Sequence, residues 1–293
     1  MENAVRTVWQ GGMMLGEGPV WDGAAGQLWF VDIKQHRVHR LDPATAAVET
    51  WPAPAQIGWV LPAEGGKLIA GLQSGLATFD PETGAFTPLA EVEPDLPGNR
   101  LNDATVGADG TIWFGSMDDG CELATGRLHR FDGTAVTATA LPPVPITNGP
   151  AFAPDGGTLY HVDTAGGVLH AVTIDADGEP GAMRDFVRID PDHGNPDGAI
   201  TDSEGNVWVG IWGGWCARCY APDGSLLREV RFPCANVTKI ALGGPDLKTA
   251  YATTAKGDLT DAELAEQPEA GSVFTFAVEV PGNAVPIARL ASR

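Results

Sequence analysis

The chain has 293 residues, 43% of them hydrophobic, enough to bury a core in one large domain or two ordinary ones. Its 38 acidic residues against 18 basic ones give a formal net charge of −20, a field that repels phosphate backbones and anionic lipid, so no nucleic acid and no membrane is expected as a partner. Glycine at 38 positions and proline at 23 point to a turn-rich chain of strands.

The N-terminal segment MENAVRTVWQGGMM has no basic patch followed by an apolar stretch, and no later run is apolar for long enough to cross a bilayer. A cytoplasmic protein, monomeric or weakly homo-oligomeric, is expected. Along the chain, short apolar runs dense in aromatic and β-branched residues recur: GQLWFVDI (26–33), the weaker GKLIAGLQ (66–73), GTIWFGSM (110–117), GTLYHVDT (157–164), GNVWVGIW (205–212) and KTAYATTA (248–255). Each is too brief for a helix and apolar on both faces, as a strand between stacked sheets must be. Several lead to a second run closed by Asp-Pro or Asp-Gly, namely VHRLDP (38–43), LATFDP (76–81), LHRFDG (128–133) and CYAPDG (219–224), where Asp caps its own turn.

With Trp29, Ile69, Trp113, Tyr160, Trp208 and Tyr251 as markers, the intervals are 40, 44, 47, 48 and 43 residues, the length of a propeller blade. The expected fold is therefore all-β: one domain over residues 1–293, a six-bladed β-propeller with four-stranded blades around a central channel. RTVWQGG (6–12) supplies the outer strand of the last blade beside GSVFTFAVEV (271–280), closing the ring. The one helix signal is a capping box from Thr260 to Glu263, stopped by Pro268.

Counting back from each marker finds a polar residue just ahead of a short apolar strand: Glu17, Asn102, Asn148, Asp197 and Lys239, each 11 or 12 residues before its marker, with Ile57 in blade two. Any one of them alone reads better as a turn cap. Five in six repeats, with Glu and Lys among them, fit better as side chains converging on the channel axis. Glu17, Asn148 and Asp197 then offer three hard oxygen donors and two negative charges, a set suited to one divalent cation (Ca, Zn, Mn, Mg or Fe(II)). Arg100, two residues before Asn102 on the same side of an extended segment, adds a fixed cationic fork for ligand oxygens. Trp212 and Trp215 are aromatic residues of a kind that more often fills core than stacks on a ligand at the rim. Cys216 and Cys219 have zinc-ligand spacing but no second pair, and the six histidines are expected to share no repeat position.

The segments LGEGPVW (15–21), NRLNDATVGADGTIWFGSM (99–117), ITNGPAFAPDGGTLYHVDT (146–164) and PDGAITDSEGNVWVGIWGG (196–214) resemble the senescence marker protein/gluconolactonase family, the regucalcin-like six-bladed propellers, and within it the bacterial sugar lactonases such as xylonolactonase. The resemblance runs through nearly the whole chain. It implies hydrolysis of a small sugar (aldono) lactone to the aldonic acid, assisted by one divalent cation. It puts Glu17, Asn148 and Asp197 in the places of the metal ligands, Asp197 also in that of the catalytic group activating water, and Arg100 and Asn102 in those of substrate contacts. The loop DDGCELATG (118–126) departs from the family pattern. Asp118, Asp119 and Glu122 all compete there for the acidic substrate contact, with Asp119 the candidate taken forward. The alternatives are a phosphotriesterase or arylesterase, and a non-catalytic calcium-binding scaffold.

Overall fold

Alternating strand and turn signals of blade length produce six separate four-stranded antiparallel sheets in a computed structural model that describes residues 4–291. The extreme ends of the expected 1–293 domain lie outside the described residues. The innermost strands are Gly16–Asp22, Ile57–Ala63, Asn99–Val106, Thr147–Phe152, Asn195–Thr201 and Asn236–Gly243, each touching the next and the last touching the first. That closed circuit makes the fold a six-bladed β-propeller. All six markers lie on the second strand of a blade, and the turn-terminated runs VHRLDP, LATFDP, LHRFDG and CYAPDG lie on third strands. Blade six is completed by the N-terminal strand Arg6–Trp9, which pairs antiparallel with Val273–Ala277, so the two ends of the chain fasten the ring. The short helix Asp261–Glu266 carries the expected capping box at Thr260.

A strand sandwiched between two sheets must be apolar on both faces, and the core is accordingly divided among the blade interfaces. Trp29 packs on Phe79 of blade two, Trp113 meets Phe152 of blade four edge-on, and Tyr251 stacks on Trp21 of blade one. Arg40 and Arg130 lie over the rings of Trp29 and Trp113, their cross-strand partners, covering the outer faces of these aromatics.

The expectation about histidines is wrong. His39, His129 and His170 occupy one position on the third strand, each opposite the residue that follows a marker: Phe30, Phe114 and His161. The facing rings stack in all three blades. The shared position is set by cross-strand pairing: His39 and His170 each stand ten residues after their markers, whereas a longer hairpin in blade three puts His129 sixteen after Trp113.

Every innermost strand breaks register at the same place: between Glu17 and Val20, Ile57 and Trp59, Leu101 and Ala104, Asn148 and Ala151, Pro196 and Ala199, and Val237 and Ile240. A bulge inserts unpaired residues, bends the strand and re-aims a side chain. In Glu17-Gly18-Pro19 and Asn148-Gly149-Pro150 the glycine takes a positive φ, which L side chains avoid, and the proline falls where no ladder donor is required.

Cross-strand register also corrects the repeat count. The inner-strand partners of the markers are Val20, Leu61, Thr105, Ala151, Ile200 and Ala241. Three residues before each partner stand Glu17, Gly58, Asn102, Asn148, Asp197 and Thr238. Blade six thus holds Thr238 at this position, with Lys239 one place later, and blade two holds Gly58 in place of Ile57. Blade six has a longer hairpin between Gly243 and Thr249, and the additional residue displaced the count.

Gly58 has a packing reason to be glycine: a Cβ there would run into the backbone oxygens of Asn102 and Leu101 in blade three. Gly58→Ala should therefore lower stability by about 1–3 kcal/mol through overpacking between blades, read as a drop in the urea unfolding midpoint without a change in slope.

Candidate functional site

The bulges turn the polar repeat residues toward the hub, where Glu17, Arg100, Asn102, Asp103, Asn148, Asp197 and Lys239 are all buried. A continuous chain of hydrogen bonds ties several of them together. Asn102 Nδ2 donates to Asn148 Oδ1 (2.9 Å) and to Thr147 O (2.7 Å), and Arg100 Nη1 donates to Asn102 Oδ1 (2.6 Å). Asn148 Nδ2 donates to Thr164 Oγ1 (3.0 Å), so its oxygen is the atom left on the hub side of the amide. Thr238, the blade-six counterpart, donates its hydroxyl proton to Gly16 O, joining the last blade to the first, and its oxygen lies 2.8 Å from the Thr253 hydroxyl, from which it can accept.

Glu17 accepts from Gly18 N (2.9 Å), and the Asp197 carboxylate accepts no hydrogen bond from any described residue. Burial, reinforced by the charge of Asp103, pushes the Glu17 carboxyl up to about 8. Burial, reinforced by the charges of Glu17 and Asp103, raises Asp197 well above the usual carboxylate range. Two like charges in a low-dielectric hub explain both directions.

The buried cations nearby are already engaged. Lys239 Nζ is 2.5 Å from Asp103 Oδ1. Arg100 Nε donates to Asp119 Oδ1 (2.8 Å). Asp119 also accepts from Lys34 Nζ (2.5 Å) and, on Oδ2, from Gln56 Nε2 (2.9 Å). Partial burial opposes its ionisation, but the bonds from Lys34 and Gln56 and the charge of Arg100 outweigh it and hold this carboxyl below its usual value.

The structure thus separates the candidates in the 118–126 loop. Asp119 joins the hub network. Asp118 instead turns the loop by accepting from Glu122 N and Leu123 N, while Glu122 is exposed. Lys34 and Gln56, one from a blade-one turn and one just ahead of the blade-two inner strand, escaped sequence reasoning because neither sits at a repeat position. Trp212 is partly buried at its strand end, Trp215 is exposed in the following turn, and the four cysteines are free thiols.

When ionised, Glu17 and Asp197 contribute two negative charges that Lys239 and Arg100, paired elsewhere, offset only in part, and the amide oxygen of Asn148 adds a neutral donor. That chemistry fits a hard divalent cation. Among the described residues no three His, Cys, Asp or Glu side chains group as metal ligands; the hub set reaches three only by including an amide.

The model of the SMP-30/gluconolactonase/LRE-like region matches residues 15–256. The chain belongs to this family. It is 35% identical over 290 residues to a 6-deoxy-6-sulfogluconolactonase of Pseudomonas putida, covering 98% of this chain and 99% of that protein. It is also 35% identical over 274 residues to an L-arabinolactonase of Azospirillum brasilense, covering 92% and 90%. The crystal structure of a calcium-binding protein, regucalcin, from Agrobacterium tumefaciens superposes with a TM-score of 0.94 at 32% identity, covering 98% of each chain. In its hub the amides of Asn102 and Asn148 and the carboxylates of Asp103 and Asp119 are held by blade-to-blade hydrogen bonds, while Glu17 and Asp197 are not. No helix among the described residues is long and apolar enough to cross a membrane.

A buried carboxylate without a counterion destabilises the fold. In chelator-treated protein, Glu17→Gln and Asp197→Asn should each raise the unfolding temperature above that of the parent. Added Ca2+ at about 100 times its dissociation constant should stabilise the parent by about 2.7 kcal/mol and neither variant by a comparable amount. Thermal unfolding with and without Ca2+ reads both effects.

Proposed function

We propose that this protein is a divalent-cation-dependent lactonase that opens a sugar (aldono) lactone to its aldonic acid. The observation that carries the reading is the pair of buried carboxyls Glu17 and Asp197, close enough for the charge of Glu17 to raise Asp197, together with the buried hydrogen-bonded chain Arg100–Asn102–Asn148. The printed names of the sugar lactonases among its relatives, and the calcium-binding protein it superposes on, support the substrate class and the cation.

Glu17, Asn148 and Asp197 would hold the cation, which when bound supplies electrophilic polarisation of the lactone carbonyl. Asp197 removes a proton from the attacking water as its oxygen adds to the carbonyl carbon, and returns that proton to the ring oxygen as the C–O bond breaks. Arg100 and Asn102 orient the hydroxyls of the sugar. Asp119 serves this orientation by holding the guanidinium in place; its own oxygens already accept from Lys34, Arg100 and Gln56, so a sugar hydroxyl would be an additional donor to a carboxylate that is already engaged. A purely structural ion would need no such fork, which favours catalysis over a scaffold role.

The test is base consumption in a pH-stat on a panel of aldonolactones, with paraoxon and an aryl ester as controls, before and after removal and return of the cation. Asp197→Ala and Glu17→Ala should abolish lactone opening with far-UV circular dichroism unchanged. Arg100→Lys, which keeps the charge but loses the fork, should lower kcat/KM by about 10- to 100-fold. Full turnover by either alanine variant removes that residue from the mechanism, and faster turnover of paraoxon than of every lactone replaces the substrate class.

A further inference from the structure

One position after the polar repeat residues, the six inner strands carry Gly18, Trp59, Asp103, Gly149, Gly198 and Lys239. Charge appears only in blades three and six, which face one another across the ring, and those two side chains meet: Lys239 Nζ lies 2.5 Å from Asp103 Oδ1 and 3.4 Å from Ala104 O. Three of the other four blades hold glycine at this level, leaving the lysine room to cross. A Cβ at Gly198 would lie 2.6 Å from Cβ and Cγ of Lys239, so the lysine stem runs alongside the residue that follows Asp197.

Asp103 is 1% exposed, and its Oδ2 has no hydrogen-bond partner among the described residues. It raises the carboxyls of both Glu17 and Asp197, and Lys239 opposes it at both. All four groups therefore share one electrostatic neighbourhood. On the other side of Lys239 the channel opens into a cavity of about 360 Å³ lined mainly by apolar groups such as Val20, Leu61, Val106 and Val285, which offer the pair little polar screening.

We propose that the Asp103–Lys239 ion pair is a charge lock that limits the hub to one divalent cation: Lys239 keeps Asp103 out of the ligand set, and Asp103 keeps the lysine ammonium away from Glu17 and Asp197. With Glu17 and Asp197 ionised, as cation binding requires, and Arg100 counted against its partner Asp119, the charges of Glu17, Asp197, Asp103 and Lys239 sum to −2, which one divalent cation neutralises. Removal of the lysine leaves three buried carboxylates, one with a partnerless oxygen, and a net charge of −3, so that a single divalent ion leaves −1 beside Asp103. A second cation is then drawn into the channel. Removal of the aspartate frees a buried ammonium to occupy the place of the first.

The lock rests on the cation reading proposed above, and calorimetric titration of chelator-stripped protein with Ca2+ at neutral pH separates the two. The parent should bind one Ca2+ per chain, Lys239→Met two, and the double variant Asp103→Asn/Lys239→Met one again. Asp103→Asn alone should weaken the single site by about tenfold or more. A parent that binds no Ca2+ overturns the cation reading and the lock with it. A parent and a Lys239→Met variant that both bind one ion overturn the lock alone. If Lys239→Met does not fold, parent-like Ca2+ affinity in Asp103→Asn overturns it instead, and the tenfold loss upholds it.

Discussion

Charge balance inside a closed ring is the constraint on which the rest of this structure depends. Six inner strands bring their polar groups to one axis, where water is scarce and a carboxylate without a partner is costly. Two of the four nearby carboxylates, Asp103 and Asp119, have cations of their own in Lys239 and in Arg100 with Lys34. Glu17 and Asp197 do not, and burial, reinforced by the neighbouring carboxylates, raises the carboxyls of both. The ring cannot relieve it by moving, because each inner strand is hydrogen-bonded to its own sheet and packed against both neighbours.

The bulge makes that concentration of charge possible. A regular strand would alternate its side chains between the two neighbouring sheets and point none along the radius of the ring. Two or three residues set against fewer in each blade turn the polar residue inward and let the next residue occupy a second level of the hub. The bland residues at these levels matter as much as the charged ones. Gly58 lets blade three approach blade two, and Gly198 makes room for the lysine that reaches Asp103.

Much of this was legible from residues alone. Trp29, Trp113, Tyr160, Trp208 and Tyr251 marked the second strands because a strand buried on both faces has a distinct apolar signature. The N-terminal strand of blade six and the Thr260 cap were readable for equally local reasons. Glu17, Asn102, Asn148 and Asp197 could be found by counting since their hairpins differ by a single residue at most. Lys239 was placed one residue out of register because the blade-six hairpin is longer, and of the three stacked histidines only His129 is hidden from counting, by the longer hairpin of blade three; His39 and His170 both lie ten residues after their markers. The partnership of Lys239 with Asp103 spans 136 residues and two opposite blades. No local pattern encodes such a contact; it exists only once the ring has closed.

The two ends of the channel are unlike, and that difference bears on how the site works. The C-terminal segment crosses one end: Asn283 donates to the backbone of Thr201 and Asp202, Ala288 bridges Ala63, and Arg289 N donates to Gly110 O. This strap covers the apolar cavity, and Lys239 lies between that cavity and the carboxylates. At the other end stand Asp119, Gln56 and the partly exposed Lys34, a polar rim that leads through Arg100 and Asn102 to Asn148 by unbroken hydrogen bonds. A hydrophilic ligand reaching the hub from the strapped end would have to cross an apolar chamber and then displace a buried ion pair. From the rim it meets hydrogen-bonding groups at every step, so the end carrying Lys34 and Asp119 is the one from which a polar ligand approaches without crossing the Asp103–Lys239 pair.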